Sequence, residues 1–208
     1  MDLYTYYRSS CSYRVRIALN YKEIPYQGID VNLLKGEQKE SIYQKINPQG
    51  LVPFLKDQDF GLSQSLAILE YLEECYPRPA LLPEGVRDRA MVRALAQVIA
   101  CDIQPIQNLR VLKYIKTELN ASEEQKLAWI RHFISSGFEA YETHLERTAG
   151  QYSYGDKVSM ADICLVPQIY NAMRFEVPMG SYPIINRIYA ALMNLDSFSK
   201  AAPENQSQ

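Results

Sequence analysis

Between Leu3 and about Tyr76 the period of the apolar positions switches repeatedly. Leu3–Tyr6 reads as a short strand, and after a turn through Arg8-Ser9-Ser10 the residues Val15, Ala18 and Leu19 recur at helical spacing. Tyr26–Val31 alternates as a second strand. Lys39–Ile46 fits a short helix, Val52-Pro53-Phe54-Leu55 with Phe60-Gly61-Leu62 fits a tight hairpin, and Ser65–Tyr76 closes the region as a helix. The order βαβαββα predicts an α/β domain over 1–76. Pro77, Pro79 and Pro83 then fall within seven residues, which no helix continues through, so 77–83 is predicted to be a linker. Beyond it the period is helical: Met91, Leu95, Val98 and Ile99, then Leu127, Ile130, Ile134, Phe138, Tyr141 and Leu145. An all-helical domain is therefore expected over 84–202, with Pro105 ending or kinking the first of its helices. Ser159 and Asp162 are spaced as a capping box, with Val158 placed to staple onto Ile163. The tail 203–208 carries too little apolar surface to order itself and is expected to be flexible.

Composition narrows the function classes. The chain has 208 residues, 47% of them apolar, and Lys+Arg 22 nearly balance Asp+Glu 24, which disfavours a nucleic acid partner. No apolar run approaches the roughly 18 residues that span a bilayer. Met1-Asp2-Leu3-Tyr4 lacks the basic and then apolar regions of a signal peptide, so a cytoplasmic protein with no membrane association is expected. Cys11, Cys75, Cys101 and Cys164 are scattered and form neither a Cys-x-x-Cys pair nor a Cys/His cluster. Disulfide and zinc frameworks are both weak readings, and no metal is expected.

Three stretches of the first domain bear on chemistry: Arg8-Ser9-Ser10-Cys11-Ser12 at a helix start, Leu51-Val52-Pro53 before a strand, and Gln64-Ser65 at another helix start. Each alone has an ordinary structural explanation, as a cap or a turn. Together, and in this order ahead of an all-helical half, they resemble a thioredoxin-like glutathione-binding domain. The whole chain resembles a glutathione transferase. Arg8-Ser9-Ser10-Cys11-Ser12-Tyr13-Arg14-Val15-Arg16-Ile17-Ala18-Leu19 is similar to the Ser-Ser-Cys signature of the zeta class. Asn47-Pro48-Gln49, Ile103-Gln104-Pro105-Ile106-Gln107-Asn108-Leu109 and Val166-Pro167-Gln168 extend the likeness along the chain.

A helix N-terminus offers unpaired N–H groups and the positive end of the dipole, which favours a thiolate beside Ser9, Ser10 and Cys11. By resemblance Ser9 is the first choice to donate a hydrogen bond to the glutathione sulfur, with Ser10 its neighbour. Cys11 has three readings: a modulating residue, a nucleophile of the glutaredoxin kind, or a small packed side chain. Tyr4, Tyr6 and Tyr7 are alternative thiolate partners, although strand alternation explains at least two of them as packing. The resemblance further implies a cis Val52-Pro53 bond whose Val52 backbone pairs with glutathione, and Gln64 and Ser65 on the γ-glutamyl carboxylate. It also puts Gln38, Gln104 and Asn108 on the glutathione side, although a solvated polar residue explains Gln38 nearly as well.

For a diacid substrate the arginines matter, because the guanidinium fork binds carboxylates in pairs. Arg8 precedes the serines and Arg174 matches a family arginine over the substrate pocket. Arg110 stands where the family pattern has a small residue and is a further candidate. Arg14 and Arg16 read as structural or rim charges. The activity implied is glutathione-dependent cis-trans isomerisation of 4-maleylacetoacetate to 4-fumarylacetoacetate, by thiolate addition, bond rotation and elimination, in phenylalanine and tyrosine degradation. A homodimer is implied as well. Alternatives are isomerisation of maleylpyruvate, a broader transferase or thiol-redox enzyme, and a non-enzymatic interaction protein of the same fold. The joint presence of Ser9, Val52-Pro53, Gln64 and Ser65 argues against the last.

Overall fold

The structure is a computed structural model and describes residues 1–206. The chain forms two compact units, one made of Met1–Leu81 with the returning segment from Met193, the other of Leu82–Leu192. The division at Leu81–Leu82 falls within the 77–83 linker expected from the prolines, whereas the segment from Met193, expected with the helical domain over 84–202, groups with the first unit. The difference is tertiary: the segment after Met193 is held by side chains of the first unit, which no local pattern records.

In the first unit the strands are β1 (Asp2–Thr5), β2 (Gln27–Asp30), β3 (Phe54–Asp57) and β4 (Phe60–Ser63), in the sheet order β2-β1-β3-β4. β1 and β2 pair in parallel, Leu3 opposite Gly28, as a helical crossover requires, and the other two pairings are antiparallel. The helices are α1 (Ser10–Tyr21), α2 (Ser41–Ile46) and α3 (Ser65–Cys75), giving the expected βαβαββα order. Val15, Ile17, Ala18 and Leu19 of α1 and Ile68, Leu69 and Leu72 of α3 are wholly buried, with Leu3 and Leu55 from the sheet. α1 and α3 pack against each other, so their N-terminal turns are set by one shared core.

The second unit is helical: α4 (Val86–Gln97), α5 (Leu109–Thr117), α6 (Glu123–Thr148), α7 (Met160–Arg174) and α8 (Pro183–Met193). α4 gives way to a wider π-type turn over Val98–Ile103 and a tighter 3-10 turn over Gln104–Gln107, which absorb Pro105. The stripe Ile130, Ile134, Phe138, Tyr141 and Leu145 of α6 is buried as its period predicts. On α4 the buried line runs through Val92, Leu95 and Ala96 and continues to Ile99 in the turn that follows, and Met91 is exposed. α7 starts on the expected box: the Asp162 carboxylate accepts from the Ser159 N–H and hydroxyl, each at 2.8 Å, and from the Ser153 N–H at 2.8 Å. Burial raises the Asp162 pKa, and the Ser153 and Ser159 donors oppose that shift.

The returning segment belongs to the first unit through α9 (Asp196–Ser199), which packs on α1. Tyr13 Oη donates to the Phe198 carbonyl at 3.4 Å, Asn20 Nδ2 to the Ser197 carbonyl at 3.3 Å and Arg16 Nε to the Ala201 carbonyl at 3.1 Å. Pro203–Asn205 form a 3-10 turn with Pro203 buried, so this part of the tail is ordered by contact rather than by its own apolar content. Ser207 and Gln208 lie outside the described residues. Among the described residues no helix is long and apolar enough to cross a membrane, and no cluster of three or more potential metal ligands is present.

Candidate functional site

The end of β1 and the start of α1 form a tight corner. Ser9 is the N-cap of α1 in extended backbone, with its Oγ accepting from the Ser12 N–H at 3.2 Å. Because Oγ accepts there, the hydroxyl proton remains to be donated elsewhere. Ser10 is buried and Cys11 half-buried in the first turn. Arg8, half-buried ahead of them, donates to Tyr6 Oη at 3.3 Å and lies over the Tyr7 ring.

A second loop arrives beside this corner. Val52, buried and joined to Pro53 by a cis peptide bond, packs in an apolar cluster with Tyr6, Val31 and Tyr43, against which Tyr4, Tyr7 and Leu33 also pack. The tyrosines Tyr4, Tyr6 and Tyr7 are thus committed to packing, Tyr6 against Tyr7 at a ring separation of 4.8 Å. The loop ahead of Val52 is pinned through the Leu51 carbonyl, which accepts from Tyr43 Oη at 2.6 Å and Asn47 Nδ2 at 2.8 Å. Burial pushes the Tyr43 phenol up to about 12. Gly50, at φ +60, lets this loop pass the Gln38 carbonyl, which a Cβ there would meet at 2.8 Å. Gln38 itself is buried, and its Oε1 has no protein partner.

The third element is the start of α3. Gln64 sits at φ +73, a backbone state uncommon outside glycine, and its Nε2 donates to Gln49 Oε1 at 2.8 Å. Ser65 opens the helix, buried, and its Oγ accepts from Arg14 Nη1 at 3.2 Å. The same Arg14 nitrogen lies 3.9 Å from Cys11 Sγ. The first turns of α1 and α3 thereby share one guanidinium. Ser9, Ser10, Cys11, Val52, Pro53, Gln64 and Ser65 are all brought into this first unit together with Gln38. Sequence reasoning missed Gln49 as a support of Gln64; of its two readings of Arg14, structural or rim charge, the 1% exposure bears out the structural one. The Gln49–Gln64 and Arg14–Ser65 pairs are 15 and 51 positions apart, so spacing carried no signal for either.

The remaining candidates lie on the second unit. Gln104 is buried in the 3-10 turn, and Asn108 is the N-cap of α5, its Oδ1 accepting from the Arg110 N–H at 3.2 Å. Arg110 is exposed on the first turn of α5, and Arg174 is the last residue of α7, exposed, with its guanidinium 4.9 Å from the Phe175 ring centre. Arg110 and Arg174 are therefore solvent-facing cations at helix ends, not members of buried ion pairs.

Two helix N-termini set by one shared core each present free backbone N–H groups, an arrangement that suits anionic groups. Comparison with known proteins decides the family. Residues 3–80 match the glutathione S-transferase N-terminal domain and residues 106–200 the glutathione S-transferase C-terminal domain. The chain belongs to the glutathione S-transferase family. Within it, the chain is 49% identical over 206 residues to a probable maleylacetoacetate isomerase of Vibrio cholerae, covering 98% of this chain and 96% of that one. Among solved transferase structures it is similar to the holo form of a bacterial zeta-class maleyl pyruvate isomerase, at 46% identity and TM-score 0.98, covering 100% and 99% of the two chains. A maleylacetoacetate isomerase of Methylobacterium extorquens, solved with bound malonate and glutathione, is 39% identical with TM-score 0.97 over 100% and 98%.

Proposed function

We propose that this glutathione transferase is a glutathione-dependent cis-trans isomerase that converts 4-maleylacetoacetate to 4-fumarylacetoacetate, a step of phenylalanine and tyrosine degradation. The observation that carries the reading is the 49% identity along almost the whole chain to a relative bearing that activity in its name. The unit-one site supports it, because its donors suit a thiolate at one end and a carboxylate at the other. When bound, glutathione supplies a sulfur nucleophile that adds reversibly to the activated double bond, so that the bond rotates before the thiol leaves unchanged.

The chain's own residues do the rest. Ser9 donates its free hydroxyl proton to the thiolate beside the α1 N-terminus, where Ser10 and Cys11 complete the turn and Cys11 modulates. The Val52 backbone, outside the strand ladder, holds the peptide extended. Gln64 and Ser65 take the γ-glutamyl carboxylate, and Gln38, Gln104 and Asn108 are the further glutathione ligands. Arg8, Arg110 and Arg174 bind the substrate carboxylates and stabilise the charge that addition develops.

Maleylpyruvate is the second candidate substrate, favoured by the TM-score of 0.98 to a maleyl pyruvate isomerase. Turnover of both diacids with glutathione in catalytic amount tests the reading: isomerisation without net loss of thiol is expected. Stoichiometric consumption of thiol would reassign the protein to conjugation or thiol reduction. The protein is further proposed to be cytoplasmic and a homodimer, the latter as the resemblance to the zeta class implies. Sedimentation at micromolar concentration should give about twice the chain mass of 23.9 kDa, and a single-chain mass would refute the dimer.

A further inference from the structure

Among the described residues of the first unit three cations are buried, of which Lys22 is ion-paired and Arg16 has its donors taken up by neutral acceptors. Lys22 Nζ pairs with Glu73 Oε2 at 2.8 Å and donates to the Tyr76 and Pro79 carbonyls. Arg16 spends its fork on four groups: the carbonyls of Tyr6, Tyr7 and Ala201 and the Thr5 hydroxyl. Arg14 is different. It is 1% exposed, forms no ion pair among the described residues, and its Nε and Nη2 have no protein partner. Its whole bonding goes through Nη1, to Ser65 Oγ at 3.2 Å and Cys11 Sγ at 3.9 Å. Burying a guanidinium without a counter-charge is strongly unfavourable, so the charge is left uncompensated toward the two groups it touches.

What it does to Ser65 follows from hydroxyl chemistry. A hydroxyl has one proton to give, and guanidinium has none to accept. With its oxygen held as acceptor by Arg14, the Ser65 O–H must donate away from the guanidinium, and the cation behind it makes that proton a stronger donor. At the first position of an 11-residue helix the hydroxyl is joined by free backbone N–H groups, an arrangement that suits a carboxylate. We propose that Arg14 is a positioning residue for glutathione: it fixes and polarises the Ser65 hydroxyl toward the α-carboxylate of the γ-glutamyl residue, and places the balancing positive charge one side chain behind it. The inference rests on the glutathione reading above and assigns a charge to an arm that Gln64 and Ser65 alone would hold with neutral groups.

The test compares two ligands by calorimetry: glutathione, and its analogue 4-aminobutanoyl-cysteinylglycine, which lacks only that carboxylate. Arg14→Gln should raise the Kd of glutathione about tenfold, the loss typical of a charge-assisted hydrogen bond, and leave the analogue's Kd within about twofold of the unsubstituted protein. Arg14→Lys, which keeps the cation and loses the fork, should show a smaller loss, again confined to glutathione. Turnover at saturating glutathione should stay within about threefold, because the effect lies on binding. Ser65→Ala should weaken glutathione similarly, and the double variant should be little worse than Ser65→Ala alone. Thermal melting checks folding first, and should Arg14→Gln fail to fold, Arg14→Lys carries the comparison. Equal weakening of both ligands, or full additivity with Ser65→Ala, would overturn the proposal and leave Arg14 a packing residue. Failure of the unsubstituted protein to bind glutathione would overturn the functional reading as well.

Discussion

A serine at a helix start is ordinarily a cap, and Ser9 is one, yet capping occupies only its oxygen. Ser9→Ala therefore separates two effects. Loss of the cap should lower stability by about 1 kcal/mol. Loss of a donor to the thiolate should lower turnover by roughly ten- to a thousandfold, as removal of a positioned donor to an anion does. Near-normal turnover with a lower melting temperature would leave Ser9 as a cap alone. Tyr43 gives a prediction in pH. Its phenol is held above its unfolded value near 10, at about 12, by burial, and donates to the Leu51 carbonyl. A group raised on folding stabilises fully below its unfolded pKa and loses that contribution as pH climbs through the folded value. Tyr43→Phe should thus be less stable than the parent by about 1 kcal/mol at pH 8, with the gap closing between pH 10 and pH 12. Denaturant melts at several pH values would measure it, and a constant gap would reject it. At this scale the capping serines were legible, because Ser9 and Ser12, or Ser159 and Asp162, meet within one turn of helix. Arg14 and Ser65 are 51 positions apart, and only the packing of α1 on α3 brings them together.

The long helices show why period was a good guide and where it slipped. α6 keeps its stripe over 26 residues, long enough for the spacing to fix the buried face unambiguously. α4 offered a shorter pattern ending in Pro105, and Met91 was chosen for the core where the neighbouring Val92 is the buried one. The widened turn at Val98–Ile103 has no mark in hydropathy, since a π turn changes hydrogen bonding and not residue type. It is locked by an exchange with α6: Gly137 lies where a Cβ would meet Ile103 Cδ1 at 2.2 Å. Gly137→Ala should consequently be destabilising, by about 1–3 kcal/mol of overpacking, against the usual gain of alanine in a helix. A melting temperature lowered by about 2–12 °C is expected, and a rise would show that Ile103 can move aside.

The two units do not follow the order of the chain. The first is completed by its last described residues, through α9 on α1 and through Arg16, whose pKa is lowered to about 10 by burial and which remains charged at neutral pH. A chain ending at Leu195 would strip carbonyl partners from Arg16, Tyr13 and Asn20 at once. Each buried donor so orphaned costs about 1–3 kcal/mol, so the shortened chain should melt far below the parent and bind glutathione poorly, although none of the removed residues belongs to the site. Unchanged glutathione affinity in that chain would refute the coupling. The same closure has a meaning during synthesis. A ribosome adding about 5–20 residues each second releases α1 on the order of ten seconds or more before α9 exists. Until then the guanidinium of Arg16 and the phenol of Tyr13 wait without the carbonyls they will bind, so the half of the protein made first is the half finished last. A premature stop codon ahead of α9 would therefore leave the first unit unfinished although its whole sheet had already been translated.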